Sequence, residues 1–162
     1  MPRLLARVRV ALASAALLWA VLVVAAPWLG SRREPLAAWT AAGTYLAGGR
    51  VCHQRPERSF HSAGAQLPVC ARCTGLYLSA AAGALAGLAW PWPRRVSNAL
   101  RAPAFDWRPW LAAAALPTAA TVALEWAGLW APSNAARALA GVPLGAAAGL
   151  LVTVGLSFRG RL

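Results

Sequence analysis

The feature that most constrains the fold is a run of twenty residues without a charged side chain, Val10–Leu29. As an α-helix, such a run extends about 30 Å, which is the thickness of the hydrocarbon core of a bilayer. The chain is 59% hydrophobic over 162 residues. Because a soluble domain of this size has too little interior to hide that much apolar surface, we predict an all-α integral membrane protein.

Three further apolar runs complete a prediction of four transmembrane helices, at residues 10–29, 74–90, 110–130 and 138–158. The first run also has the features of a signal peptide, because basic residues precede it and the small residues Ala25 and Ala26 lie near its end. Its length favours a helix that is retained. Leu36–Gly49 is apolar but too short to span, and is predicted to be an interfacial or re-entrant helix. Residues 1–162 are predicted to form a single membrane domain.

Glycines and other small residues recur every four positions in two of the predicted spans. Such spacing places them on one helix face, where they allow another helix to approach closely in lipid. The pattern leaves open whether these faces pack within one chain or between chains. The residues concerned are Gly75, Ser79, Gly83 and Gly87 in the second span and Gly141, Gly145 and Gly149 in the fourth.

The basic residues are all arginine, and the formal charge is +12 at pH 7. They lie mainly at the edges of the apolar runs, which favours lipid head groups over nucleic acid as partners. Four spans put both termini on one side, which then carries nine arginines against seven on the other. The positive-inside rule therefore predicts cytoplasmic termini. The connection after the second span is bracketed by residues typical of a membrane interface, Trp90, Trp92, Trp107 and Trp110.

The loop at residues 50–77, between the first two spans, holds every cysteine and histidine of the chain. Cys70 and Cys73 form a C-x-x-C pair, which brings two sulfurs to one point, and the adjacent Cys52 and His53 precede it. A ligand pair, a loop of medium length and a C-x-x-C pair have the general spacing of zinc modules. His61 competes with His53 for a fourth position, because neighbouring residues do not easily point at one ion. A fourth position open to water is the further alternative.

Other interpretations of the same residues remain open. An odd number of cysteines excludes a set of paired structural disulfides within one chain. Cys70 and Cys73 can instead act as a redox pair with Cys52 as the resolving thiol. In the simplest case, the thiols cap a helix and the histidines lie on the surface.

Glu125 is a charged residue inside the third predicted span. Because a charge within hydrocarbon needs a partner or a wet cavity, Arg137 at the start of the next span is the expected partner. The pair is either a buried ion pair that joins two helices or part of a catalytic site. In a four-span topology Glu125, Asn134 and Arg137 lie at the same membrane face as the Cys/His loop.

The segments CHQRPERSF and PVCARCTGLY resemble the fingerprint of a prokaryotic membrane family known as a domain of unknown function (number two-zero-eight-five). The matching residues are Cys52, His53, Gln54, Arg58, Ser59, Phe60, Cys70, Arg72, Cys73, Thr74, Gly75 and Tyr77. The downstream half is also similar, at Pro117, Glu125, Ser133, Asn134, Arg137 and Gly141. Where the family usually has Asp followed by Gly, this chain has Glu125 and Trp126. The resemblance implies a small multi-span protein of the prokaryotic plasma membrane and adds Gln54, Arg58, Ser59 and Asn134 to the candidate site residues, without implying an activity.

The first functional hypothesis is a membrane-embedded metal site, with zinc as the suspected ion, that is either structural or hydrolytic. Its ligands would be Cys52, His53, Cys70 and Cys73, with His61 as the alternative. In the hydrolytic version Glu125 acts as the base, and arginines orient an anionic lipid-like or small-molecule substrate. The catalytic candidates are Glu125, Arg72 and Arg137, with Arg58 as a further substrate-orienting arginine. The alternatives are a thiol–disulfide oxidoreductase and a metal-ion carrier with Glu125 on the path.

Overall fold

The fold is a bundle of α-helices with one short β-hairpin. The computed structural model describes residues 2–89 and 106–158, which include five α-helices, two strands and one 3-10 turn. In chain order these are α1 Pro2–Gly30, α2 Pro35–Val51, the 3-10 turn Pro56–Arg58, β1 His61–Ser62, β2 Ala65–Gln66, α3 Ala71–Ala89, α4 Arg108–Trp126 and α5 Asn134–Phe158. The all-α class predicted from the sequence is confirmed.

The helix bounds differ from the predicted spans most clearly at the start of α1 and the end of α4. α3 and α5 also begin earlier than predicted, at Ala71 and Asn134. α1 includes the basic N-terminal residues that the prediction placed before the first span. α4 ends at Trp126 and not at Trp130, because Gly128 adopts a left-handed conformation with φ of 69°. The N–H of Gly128 donates to Glu125 O and that of Leu129 to Leu124 O, the hydrogen bonds of a Schellman cap. The predicted interface residues Trp90 and Trp92 and the arginines Arg94, Arg95 and Arg101 lie outside the described residues.

Two helices of the described chain are long and apolar enough to cross a membrane, in the segments Arg3–Gly30 of α1 and Asn134–Gly155 of α5. The protein buries only 28% of the apolar window of each, so most of that surface faces outward. α1 lies near the N-terminus, where a signal sequence has the same length and composition. α3 and α4 have 19 residues each but are less apolar, and their spanning of the membrane stays a prediction.

α1 runs antiparallel to α3. Near the start of α1, the guanidinium group of Arg9 donates to Gly87 O, near the end of α3, over 3.1 Å. Further along α1, Trp19 meets Tyr77 edge to face, with ring centroids 5.8 Å apart. The C-terminal end of α1 therefore lies beside the N-terminal end of α3.

α4 runs antiparallel to α5. The Thr118 hydroxyl donates to Ala140 O over 2.7 Å, and Arg137 Nη2 lies 2.8 Å from Glu125 Oε1. The C-terminal ends of α1 and α4 and the N-terminal ends of α3 and α5 consequently meet. We call this end of the bundle the site end, because the segment that carries the cysteines lies there.

α3 and α5 run parallel and pack backbone against backbone. A Cβ atom added at Gly75 would collide with Ala138 O, and one added at Gly145 would collide with Leu76 O. Only glycine permits this approach, which is the role predicted for small residues on helix faces in lipid. The same close backbone contact is made by Gly83, Gly141 and Gly149, whereas Gly87 lies against the side chain of Thr153. The glycine faces thus pack within the chain.

Small side chains fill the interior of the bundle and large apolar side chains face outward. The buried apolar residues are mostly alanines, among them Ala13, Ala20, Ala81 and Ala84. By contrast, Leu36 is 79% exposed, Trp39 is 76% exposed and Trp126 is 83% exposed. A soluble protein buries its large apolar side chains, whereas helices in lipid associate through small ones. The distribution is therefore the one expected of helices that associate in lipid.

Candidate functional site

Three thiols meet at the site end. The Sγ atoms of Cys52, Cys70 and Cys73, here called the thiol cluster, all lie within 4.8 Å of one another. Cys52 is the C-cap of α2, Cys70 immediately precedes α3, and Cys73 lies in its first turn. None of the three is in a disulfide. Sulfurs bound at about 2.3 Å to a tetrahedral zinc are about 3.8 Å apart, so the observed spacing suits a metal ion.

Hydrogen bonds connect the members of the thiol cluster. The backbone N–H of Cys70 donates to the Sγ of Cys52 over 3.1 Å. Hydrogen bonds from the thiols of Cys70 and Cys73 hold the pKa of Cys52 below its usual range, and the interaction with Cys52 raises the pKa of Cys70. Cys52 is therefore the most readily deprotonated of the three thiols, and the thiolate is the form of cysteine that binds metals.

An apolar wall surrounds the thiols. The buried residues Val23 of α1 and Leu67 and Val69 of the segment before α3 form a small core. The partly buried residues packed against that core are Trp19, Cys52, Phe60, Cys73 and Tyr77. Cys70 itself is 4% exposed. Such a wall limits access of water and strengthens the electrostatic interactions of a bound ion.

Gln54 joins the two segments that carry the thiols. Its side-chain amide donates to Tyr45 O over 2.8 Å and to Pro68 O over 2.7 Å, although its own φ is 48°. Gln66 Nε2 donates back to Gln54 O over 3.2 Å, and the hydroxyl of Tyr45 donates to Gln66 O. Gln54, a candidate site residue from the sequence, thus connects the end of α2 with the residues that lead into Cys70.

The connection between Cys52 and Cys70 is an ordered turn. β1 and β2 pair in antiparallel orientation, with Ala63 at φ 49° and Gly64 at φ 76° between them. Two consecutive positive φ values identify a type I′ turn, whose twist matches that of the strands. Leu67 N donates to Phe60 O over 2.8 Å and extends the pairing. The hairpin therefore brings the chain back towards Cys52, so that Cys70 lies beside it.

Neither histidine lies in the thiol cluster. His53 is exposed, and its Nδ1 accepts a hydrogen bond from Arg55 N over 3.1 Å. Cys52 is extended, with φ −146° and ψ 145°, so consecutive side chains point in opposite directions. His61 lies on β1 and is also exposed. Among the described residues, the group that could hold a metal ion at this place therefore consists of the three cysteines without a histidine.

A second cluster surrounds Glu125, whose side chain is 8% exposed. Oε1 of Glu125 lies 2.8 Å from Arg137 Nη2 and 3.1 Å from Arg58 Nη2, and Oε2 lies 3.4 Å from Arg72 Nη2. The ion pair with Arg137 predicted from the sequence is present, and two further arginines join it. We call these four residues the arginine cluster. Three positive charges face one negative charge, which leaves an excess of two positive charges.

Polar groups of α4, of α5 and of the residue after the 3-10 turn hold the arginine cluster in place. Arg72 Nη2 donates to the Thr121 hydroxyl over 3.4 Å, and Arg137 Nη1 donates to Asn134 Oδ1 over 3.0 Å. Asn134 Nδ2 in turn donates to Ser59 O over 3.0 Å, and Ser59 is 1% exposed. Ser59 and Asn134, both candidate site residues, therefore connect α5 to the turn that carries the outermost arginine.

Sequence reasoning missed several residues of these networks. Thr121 lies four positions before Glu125 on α4, and this spacing on a helix places both on one face. That signal was available in the sequence. Tyr45 and Gln66 had no comparable signal, because their hydrogen bonds depend on how α2 meets the hairpin.

A family of known proteins matches most of the chain segment that carries the two clusters. The family model for "Predicted membrane protein (DUF2085)" matches residues 52–151, a range that begins at the first thiol and includes both clusters. An "Uncharacterized protein" of Methanothermobacter thermautotrophicus is 57% identical over 30 residues, which are 18% of this chain and 27% of that protein. The aligned part thus spans about a quarter of that relative's length. No solved structure matches the chain.

Proposed function

Since the chain belongs to the DUF2085 family of predicted membrane proteins, we propose that it holds a thiolate-bound metal ion, zinc, at one face of the membrane. The observation that carries the proposal is the position of three sulfurs from two separate segments within 4.8 Å of one another. Soft thiolate donors favour zinc over the oxygen-seeking ions magnesium and calcium. Cys52, whose pKa the neighbouring thiols hold below its usual range, would supply such a thiolate.

The donor set suggests an open metal site. Structural zinc sites usually have four protein ligands, whereas catalytic sites have three and keep the fourth position for water or substrate. Three thiols with both histidines outside the cluster fit the second pattern. In such a site zinc supplies Lewis acidity and lowers the pKa of bound water. Hydrolysis of a substrate that reaches the membrane face is therefore the reaction class that we propose.

We assign Glu125 a positioning role in place of the general base expected from the sequence. Both of its carboxylate oxygens are engaged by arginines. A carboxylate held by three guanidinium groups is a poor proton acceptor, because protonation would remove the charge that pairs with them. The same positive surroundings repel cations, which argues against a metal-ion carrier with Glu125 on its path.

The alternating directions of α1, α3, α4 and α5 support four membrane spans. In that topology the site end lies at the outer face, as the distribution of arginines predicts. The outward-facing apolar side chains then contact lipid along the bundle. α2, with exposed Leu36 and Trp39 near its start, lies in the interface beside the site end.

A second candidate function is thiol–disulfide exchange. The observation in its favour is that Cys70 and Cys73 begin α3 as free thiols in a C-x-x-C motif, with the low-pKa Cys52 beside them. In exchange with a substrate disulfide, Cys70 or Cys73 would attack one substrate sulfur, release the other as a thiolate and form a mixed disulfide. Cys52, as the resolving thiol, would then attack the protein sulfur of that bond and release the reduced substrate, so that the substrate disulfide accepts the two electrons. Unlike the metal site, this chemistry requires that two of the three sulfurs become oxidised.

Metal content and free thiols of the detergent-purified protein, prepared without oxygen, separate the two candidates. We expect about one zinc per chain by inductively coupled plasma mass spectrometry, and its loss in Cys52→Ser, Cys70→Ser and Cys73→Ser. The controls His53→Ala and His61→Ala should keep the metal. Protein without metal that contains a Cys70–Cys73 disulfide would overturn the metal proposal and support the redox one.

A further inference from the structure

We infer that the arginine cluster is a binding site for a phosphate group. The inference goes beyond the metal site, because it concerns Arg58, Arg72 and Arg137 and does not require an ion on the thiols. Its chemical basis is a buried excess of positive charge together with guanidinium donors that lack acceptors.

The excess positive charge of the arginine cluster is carried by side chains with little exposure to solvent. The side chains of Arg72 and Arg137 are 16% and 11% exposed, and that of Glu125 is 8% exposed. Removing a charge from water is strongly unfavourable unless an opposite charge compensates it. One carboxylate compensates one of three guanidinium groups. A phosphate dianion carries the two negative charges that are missing.

Unsatisfied donors support the same ligand. In residues 2–89 and 106–158, the Nε atoms of Arg72 and Arg137 are buried and have no hydrogen-bond acceptor. Arg137 as a whole residue is 9% exposed. Buried polar atoms in native proteins nearly always have partners. Guanidinium groups bind phosphate oxygens through pairs of N–H donors, so several arginines can satisfy one phosphate group.

The helices add to the positive potential. Arg72 lies in the first turn of α3 and Arg137 in that of α5, and neither turn contains an acidic residue. The free N–H groups and the dipole at a helix N-terminus favour anions. Two helix N-termini therefore act in the same direction as the arginines.

The exposure of the arginines suggests the direction of approach. Arg58, on the 3-10 turn, has a side chain that is 27% exposed, more than those of the two helix residues. It forms the outer edge of the cluster at the membrane face. A phosphate group can arrive from the aqueous phase or on a lipid head group, and both sources share the chemistry that the arginines recognise.

Binding of radiolabelled inorganic phosphate to the full chain in detergent tests the inference. At low ionic strength we expect saturable binding of about one phosphate per chain, since one site is proposed. Arg58→Gln should weaken binding about tenfold or more, because a charge-assisted contact is lost. Arg55→Gln, a change at an exposed arginine on the same turn, should bind like the unmodified protein. Zinc content is measured on the same samples and should not change in either variant.

Mixed micelles identify the source of the phosphate group. If phosphatidate displaces labelled phosphate and phosphatidylcholine does not, the ligand is a lipid head group. If phosphatidate has no effect on bound phosphate, the ligand is soluble. Absence of saturable binding of both phosphate and phosphatidate, or equal binding by Arg58→Gln and Arg55→Gln, overturns the inference. Phosphate binding without zinc, or zinc without phosphate binding, shows which of the two proposals fails.

Glu125→Gln provides an independent measurement. The substitution removes the only negative charge of the arginine cluster, so the excess of positive charge in the cluster rises from two to three. Phosphate should then bind more tightly and should raise the unfolding temperature of this variant more than that of the unmodified protein. If Glu125 only neutralises the arginines and they bind no phosphate, phosphate would not raise the unfolding temperature of Glu125→Gln. That result would count against the site.

Discussion

The thiol cluster and the arginine cluster share the first turn of α3 but offer opposite charges to a ligand. Cys70 and Cys73 supply sulfur to the first cluster, and Arg72 between them joins the second. Residues one position apart on a helix project about 100° apart, so one turn can serve two sites. The thiols attract a cation and the arginines an anion. A single helix start thus places groups suited to a cation and groups suited to an anion close together.

The two clusters also differ in how the chain assembles them. The thiols come from the end of α2 and the start of α3, two neighbouring segments that Gln54 and the hairpin join. The arginine cluster combines a loop residue with residues of α3, α4 and α5. The first therefore depends on local hydrogen bonds, and the second depends on helix packing. Variants that disturb one and spare the other test this difference.

Glu125→Leu should have the largest effect on stability. It leaves three arginines without their carboxylate, and breaking a buried ion pair in this way typically destabilises a protein by about 3–5 kcal/mol. The measurement is the free energy of unfolding in detergent and phosphate-free buffer. Glu57→Leu is the control, because Glu57 lies exposed on the 3-10 turn. Equal stability of the two variants would show that the arginine cluster does not depend on its acid.

Gly145→Ala should disturb the arginine cluster through helix packing. Its added methyl group collides with Leu76 O and pushes α5 away from α3, an overpacking effect of about 1–3 kcal/mol. Gly155→Ala on the same helix has nothing within 4 Å of its new Cβ and should be neutral or slightly stabilising. We expect weaker phosphate binding in Gly145→Ala with unchanged zinc content. A loss of zinc in this variant would mean that the thiols also depend on the packing of α3 against α5.

Gln54→Ala should affect the thiol cluster alone. Without the amide that joins Tyr45 O to Pro68 O, the two thiol segments are less well positioned, and metal affinity should fall about 10–100-fold. Titration with a competing chelator measures this affinity. His53→Ala, at the exposed neighbouring position, is the control. Phosphate binding should be the same in both variants, and a parallel decrease in Gln54→Ala would show that the clusters are coupled.

Tyr45→Phe should have the smallest effect. It removes the hydrogen bond to Gln66 O, which typically contributes about 0.5–1.5 kcal/mol. Burial raises the pKa of Tyr45, so its contribution to stability is complete below the ordinary tyrosine pKa and is lost as the pH rises through the folded-state pKa. The unmodified protein should therefore lose more stability than Tyr45→Phe at strongly alkaline pH. If the free energy of unfolding falls equally with rising alkaline pH in both proteins, this role of Tyr45 is contradicted.

Much of the fold and of the thiol cluster was predictable from the sequence. The absence of charge over Val10–Leu29 requires a long apolar helix, and the spacing of the cysteines brings them together once α3 begins. The pair Glu125–Arg137 was predictable too, because only a short turn separates the two helices. The end of α4 was not, since it depends on the left-handed conformation of Gly128.

The histidines and the additional arginines show where sequence reasoning stops. His53 and His61 were plausible ligands by spacing alone, but both are exposed in the folded chain. Arg58 and Arg72 are far from Glu125 in sequence, and no local pattern relates them to it. Their meeting requires that α3, α4 and the 3-10 turn converge at one end of the bundle.

The sequence by itself determined the long apolar helices and the chain segment in which three thiols meet. Both follow from local properties, namely hydropathy over a helix length and ligand spacing along one loop. The tertiary structure alone decided that three arginines share one carboxylate. Charges from distant segments come together because the glycine faces of α3 and α5 set the distance between the helices, and that distance depends on backbone contacts which no single stretch of sequence encodes.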